Sequence, residues 1–168
     1  MTLSMHSASV AVLDNGVRAL INIIGKAKAH CEAKKIDPDA LTQSRLYPDM
    51  FPFWRQVCLV SDHAKGAPSR LAGVDVPSWP DTERSFDELL ARLEKTRAYL
   101  KEFPAERLAG SDTRTITMKL GGQDVSMPGD QYLFTSALPN FFFHLTTAYN
   151  ILREGGVDVG KRDFLGRT

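Results

Sequence analysis

Cysteine is scarce in this sequence, and any motif that would name a reaction is absent. Cys31 and Cys58 are the only cysteines. They lie far apart and match no metal or redox spacing, which excludes a disulfide framework and a cysteine-type zinc site. Both are expected to sit reduced in or near the core, as free cysteines commonly do. Charge of one sign is missing too: 21 basic residues face 20 acidic ones, for a formal net charge of +1. No run is long enough to track a phosphate backbone, which argues against a nucleic-acid partner. Glu32, Lys34 and Lys35 cluster, and they read as a solvated helix end. The longest apolar stretches are broken by Asp14, Asn15, Arg18 or His144, short of the roughly 20 residues of a membrane span. Met1 to Leu13 has no basic leader, continuous apolar segment and small-residue cleavage site, which predicts a cytoplasmic rather than a secreted protein. No G-x-S-x-G, Walker or H-E-x-x-H pattern occurs, so hydrolysis and phosphoryl transfer lack motif support. Internal repeats and low-complexity segments are absent as well.

What is present is ordinary globular material. The 168 residues are 43% hydrophobic and 24% charged, enough for one domain over residues 1–168 and short for two. Four segments read as helices. The first runs from about Leu3 to Lys34, with Val10, Leu13, Val17, Leu20, Ile21 and Ile24 recurring at spacings of three and four. Gly16 and Gly25 inside it predict a close helix contact or a bend. Asp37 and Pro38 open a short helical turn in the connector that follows. Pro48 and Pro52 bracket the entry to a second helix, about Asp49 to Leu71. A third covers about Thr82 to Glu102, with Phe86, Leu89, Leu90, Leu93 and Leu100 as its stripe; Ser85 and Glu88 have capping-box spacing and offer a start one turn later. In "TRTITMKLGGQDVSMPG" alternation replaces helical spacing, and Gly121-Gly122 between the two alternating runs predicts a β-hairpin. The last helix runs from about Gly129 to Arg153, interrupted near Leu138 by Pro139 and stopped by Gly155-Gly156. Four long helices with a small hairpin inserted before the last predict an all-α fold, most simply a four-helix bundle. Val157, Val159, Phe164 and Leu165 are expected to pack the tail back on it. There Lys161, Arg162 and Asp163 read either as an ion pair that fastens the tail or as an anion-binding corner.

Helical geometry then places the polar side chains. On the second helix Gln56 and His63 share one flank of the buried face, and Arg55 and Asp62 share the other. On the last helix Phe141, Leu145, Ala148 and Leu152 mark the core line. His144 falls to one side of that line and Tyr149 to the other, while Phe143 faces away and is expected to meet the tail, the hairpin or another subunit. His144 has two readings. It is a neutral imidazole bonded to a backbone carbonyl or to Thr147, or it is the polar floor of a cleft lined by Gln56, His63 and Tyr149. His63 and Asp62 alternatively read as part of a solvated helix end.

The stretches "ALPNFFFHLTTAYNILREGGVDVGKRDFLG", "PDMFPFWRQVCLVSDHAKGAPSRLAGV" and "WPDTERSF" resemble an uncharacterised bacterial family, domain of unknown function 1993, within the DinB/YfiT-like putative metalloenzyme superfamily. The resemblance covers essentially the whole chain and implies a four-helix bundle of up-down-down-up topology. Better-studied members of that superfamily bind a divalent metal through one histidine on the second helix and an H-x-x-x-H pair on the last, and some are thiol S-transferases. His144 fits the first position of that pair and His63 the second-helix ligand. Ala148 stands where the third ligand belongs and has no donor atom. Asp62, Gln56 or His6 would have to complete a set, since open catalytic sites use three protein ligands. The sequence therefore predicts a homodimeric small-ligand-binding or structural protein with a degenerate metal site and no cofactor. Its candidate pocket residues are Gln56, Asp62, His63, His144 and Tyr149. The alternative is a divalent-metal-dependent thiol S-transferase or hydrolase using zinc or nickel, the metal activating a water or thiol.

Overall fold

A serine divides the first helix where the apolar pattern runs straight on. The computed structural model describes residues 3–167. In it, α1 (Met5–Ala8) is closed by a reciprocal cap in which Ser7 N–H donates to Ser4 Oγ and Ser4 N–H to Ser7 Oγ. At Ser9 the hydroxyl and the backbone N–H both donate to the Met5 carbonyl, and ψ turns to −78°. This bonding gives the chain a local alternative to the helical ladder, and α2 (Val10–Lys34) starts afresh. By length and composition alone, Met5–Lys34 could cross a membrane, which corrects the expectation that no stretch is long enough. Its apolar positions Leu13, Val17, Leu20, Ile23, Ile24 and Ala27 are fully buried inside the protein.

The next elements begin where prolines and caps dictate. Asp37 accepts a hydrogen bond from Asp39 N–H at 3.0 Å and starts α3 (Pro38–Thr42). The second long helix, α4 (Phe53–Ala72), starts at Phe53 rather than Asp49, because Phe51 precedes Pro52 and is sterically barred from the helical region. It ends on Gly73 at φ 71°. The third, α5 (Phe86–Leu100), takes the later of the two starts: Ser85 and Glu88 form a full capping box. A 3-10 turn, Ala105–Leu108, and the hairpin follow. Strands β1 (Thr115–Leu120) and β2 (Gln123–Pro128) pair antiparallel, with Ile116 opposite Met127 and Met118 opposite Val125. Gly121 and Gly122, at φ 58° and 85°, supply the positive angles of the turn. Ile116, Met118 and Met127 face the helices.

The last expected helix is three pieces: α6 (Gly129–Tyr132), a π-helical segment over Leu133–Ala137, and α7 (Leu138–Glu154). Pro139, in the first turn of α7, has no N–H to donate one turn back. The chain absorbs it by widening that turn instead of breaking, and the Asn140 side-chain amide donates to the Ser136 carbonyl at 2.7 Å. After Gly156 the tail returns over the helices and ends in α8 (Lys161–Phe164). Asp163, buried, pairs with Lys26 at 2.6 Å, while Asn15 and Arg18 donate to the carbonyls of Leu165 and Gly166. The three tail charges thus divide: Asp163 fastens the tail, and Lys161 and Arg162 stay exposed.

The protein is therefore mostly helical with one small antiparallel sheet. Helix α4 lies along α7 on one side and α5 on the other, and α2 touches all three. The core runs through Phe53, Val57, Leu89, Leu93, Phe141 and Leu152. Gly16 lies where α2 meets α7. A Cβ there would stand 2.7 Å from the Phe141 ring, whereas one at Gly25 would meet nothing within 4 Å. Urea unfolding is expected to show Gly16→Ala destabilised by about 1–3 kcal/mol through overpacking. Gly25→Ala, on an exposed helical turn, is expected to gain about 0.5–1 kcal/mol.

Candidate functional site

Three polar side chains meet at the α4–α7 seam. Gln56, one turn into α4, is only 2% exposed. Its Nε2 donates to the Phe51 carbonyl at 3.1 Å, and its Oε1 lies 2.7 Å from Nδ1 of His144 on α7. A carbonyl accepts and never donates, so the Phe51 contact fixes which end of the amide is which. Oε1 then faces the imidazole, and Nδ1 must carry the proton. His144 is left with a bare lone pair on Nε2. The bond runs between helices, to Gln56, rather than to a backbone carbonyl or to Thr147, whose hydroxyl instead donates to the Phe143 carbonyl at 2.7 Å.

His63, two turns along α4 from Gln56, lays its ring nearly parallel on that of His144, with centroids 5.4 Å apart and 11° between planes. It lies mid-helix and half-buried, not at a solvated end. Burial, then the neighbouring His63 and Arg55, bring the His144 pKa down to about 4. Burial likewise lowers that of His63; Asp62 opposes this, and Arg70 and Lys65 add to it. Two neutral imidazoles therefore face each other at neutral pH. Phe143 crosses His144 edge-on at 5.2 Å and is 59% exposed; Phe51, tied to Gln56 through its carbonyl, is 53% exposed. The seam has a polar floor and an aromatic rim.

The other expected members of the pocket lie elsewhere. Tyr149 packs its ring against Phe164 of the tail at 5.8 Å. Asp62 turns to α5, where it meets Arg92 Nη2 at 2.9 Å and pairs with Lys65. Residue 148, one turn beyond His144, is a fully buried alanine. Among the described residues no third histidine, cysteine or carboxylate joins His63 and His144. The side chains present do not fit a three-ligand metal centre of the kind the superfamily resemblance implies.

A second polar cluster, missed by the sequence reading, sits at the α4–α5 seam under the loop of residues 73–85. Arg92 is 3% exposed. Its Nη1 donates to the Pro80 carbonyl at 3.0 Å and to both Glu83 oxygens at 3.1 Å, and its Nη2 reaches Asp62 at 2.9 Å. Asp81 Oδ1 stands 3.0 Å from Nη2, paired in charge but poorly aligned for a hydrogen bond. Arg55 pairs with Asp81 from the other side. Cys58, Asp81 and Glu83 bring ligand atoms within 4.8 Å of one another, the one such trio among the described residues. Arg92 already answers the two carboxylates. The Cys58 thiol, pushed up to about 12 by burial, keeps its proton and donates it to Glu83 Oε2 at 3.6 Å. The available signal was the position of Arg92, three residues after Leu89 and beside Leu93, on the buried stripe.

Comparison with known proteins places these features. A family model described as "Domain of unknown function (DUF1993)" matches residues 5–165. The crystal structure of a DinB family member protein from Shewanella denitrificans superposes with a TM-score of 0.91 at 36% identity, over 98% of this chain and 93% of that one. No curated protein matches the chain.

The depressed imidazoles make stability depend on pH. The unfolded chain takes up protons below about pH 6.5, whereas folded His144 resists them until about pH 4. Stability is fully present above the upper value and is lost as pH falls toward the lower one. Urea unfolding at pH 7.5 and pH 4.5 is expected to differ by about 1–3 kcal/mol from this group, allowing for its partial exposure. His144→Phe is expected to flatten that slope.

Proposed function

The chain belongs to the DUF1993 family, and from that premise we propose that it is a DinB-like four-helix bundle of up-down-down-up topology that binds a small molecule at the α4–α7 seam. The observation that carries this reading is the 2.7 Å contact between Gln56 and Nδ1 of His144. A buried amide, oriented by a backbone carbonyl, holds the imidazole in the tautomer that offers Nε2 as an acceptor. A ligand with an N–H or O–H donor satisfies that lone pair, and the exposed rings of Phe51 and Phe143 cover its apolar body. Arg55, which helps lower the His144 pKa, and Arg70 and Lys65, which help lower that of His63, favour a neutral or anionic ligand over a cationic one. In this reading the ancestral metal site is reduced to two imidazoles. The alternative, a metal-dependent thiol S-transferase or hydrolase, needs a third donor that Ala148 does not supply and that Asp62, engaged by Arg92, has turned away.

Two measurements test this. Long-range ¹⁵N–¹H NMR of the imidazoles is expected to show His144 protonated at Nδ1, and Gln56→Leu is expected to mix the tautomers. Protein made without a histidine tag and dialysed against zinc or nickel is expected to retain less than one equivalent. Stoichiometric metal that disappears in His144→Ala overturns the proposal in favour of the metalloenzyme.

The reading includes a homodimer. It is supported by Phe142 and Phe143, which remain 37% and 59% exposed on α7, and by the cost of leaving neighbouring aromatic rings in water. Sedimentation equilibrium is expected to show a dimer that Phe143→Ser weakens.

A further inference from the structure

Away from the His63–His144 seam, a cavity of about 360 Å³ opens between the loop before α5 and α5 itself, lined by Trp79, Thr82, Glu83, Glu88, Arg92 and Lys95 among others. Its acceptors and donors do not balance. Both carboxylates in the wall are engaged. Glu83 accepts from Arg92 through both oxygens, and Glu88 accepts from the backbone N–H groups of Arg84 and Ser85, which hold its pKa below the usual carboxylate range. The donors are less committed. Lys95 makes no ion pair among the described residues, and its ammonium stands 4.2 Å from the centre of the Trp79 ring. The Thr82 hydroxyl, exposed to solvent like Lys95, has no protein hydrogen-bond partner among them. Arg92 commits Nη1 to Pro80 and Glu83 and Nη2 to Asp62, but leaves its buried Nε–H without an acceptor. Behind the rim, Lys65 also lies over Trp79, at 5.1 Å, and Tyr99 meets the indole edge-on at 6.0 Å, so the ring is held in place from several directions.

We propose that this cavity is a second ligand site, and that it takes a small organic carboxylate. The carboxylate group meets the Lys95 ammonium and the Thr82 hydroxyl, and the body of the ligand lies against Trp79. One uncommitted ammonium suits one negative charge. A phosphate dianion would face Glu83 and Glu88 with Lys95 as the one uncommitted cation to offset it, and an organic cation would meet the Lys95 ammonium head on. The volume lies within the range of small-molecule sites. The proposal is independent of the ligand read at the other seam, because the two share no lining residue.

Benzoate is the probe, with benzamide and benzylammonium as its neutral and cationic counterparts. In a Trp54→Phe background Trp79 is the only tryptophan, and its indole ¹⁵N–¹H resonance reports occupancy. Benzoate is expected to shift that resonance saturably, with benzamide and benzylammonium at least about tenfold weaker. Lys95→Met is expected to weaken benzoate about tenfold or more and Thr82→Val severalfold, with the remaining amide spectrum unchanged, while His144→Ala leaves binding as it was. Equal binding of benzoate and benzamide, or benzoate affinity unmoved by Lys95→Met, overturns the proposal. Loss of binding in His144→Ala does the same, since it would move the ligand to the other seam.

Discussion

A backbone carbonyl that can only accept a hydrogen bond decides the state of the α4–α7 seam. Phe51 sits just before Pro52, cannot be helical, and so turns its carbonyl toward the first turn of α4. Gln56 must give it an N–H, which points the amide oxygen at His144 and fixes the imidazole proton on the inner nitrogen. Each step is a matter of donor and acceptor types rather than of fine distances. The outcome is a histidine with one nitrogen committed to the scaffold and one available, which is the same preparation a metal ligand receives from its outer partners. Among the described residues, the preparation is kept without the set of ligands that would use it.

The α4–α5 seam solves a different problem. It buries an arginine and a lysine, Arg92 and Lys65, almost completely. Isolated charges there would be costly, and they are held because Asp62, Asp81 and Glu83 reach in from a helix and a loop to meet them. Removing one partner leaves the rest uncompensated, so the network fixes the path of residues 73–85. That path in turn sets where Trp79 stands. The loop is long and carries two prolines, at positions 77 and 80, yet its polar anchors make it part of the fixed structure.

Much of this fold was legible in spacing. The apolar stripes of α2, α5 and α7, the Ser85–Glu88 cap and the diglycine hairpin each express a local rule, and each appears where its rule applies. The seam was legible in part for the same reason: Gln56 and His63 share a flank by helical geometry, and His144 leans to one side of its core line. What did not read through were the places where tertiary bonding competes with local preference. Ser9 divides a helix whose apolar pattern is continuous, because its hydroxyl finds a carbonyl one turn back. Asp62 sits beside His63 in sequence, and Tyr149 one step beyond Ala148, the position one turn after His144. Yet one step along a helix is about 100° of rotation, and an arginine on α5 and a phenylalanine in the tail claim them. The Arg92 cluster draws on α4, a loop and α5, and no single segment announces it.

The widened turn over Leu133–Ala137 governs the direction in which everything after it points. A π-helical turn holds one more residue than the α-helix would use for the same advance, so the segment takes up an extra residue as a local bulge and keeps α6 and α7 in phase. Straightening that turn with every residue retained would instead rotate the remainder of the chain by about 100° about its axis. His144 would then leave the seam and one of the exposed phenylalanines would enter it. The turn therefore works as a buffer of register: a change of one residue in length is absorbed at Leu133–Ala137, and the lining of the seam stays where it is.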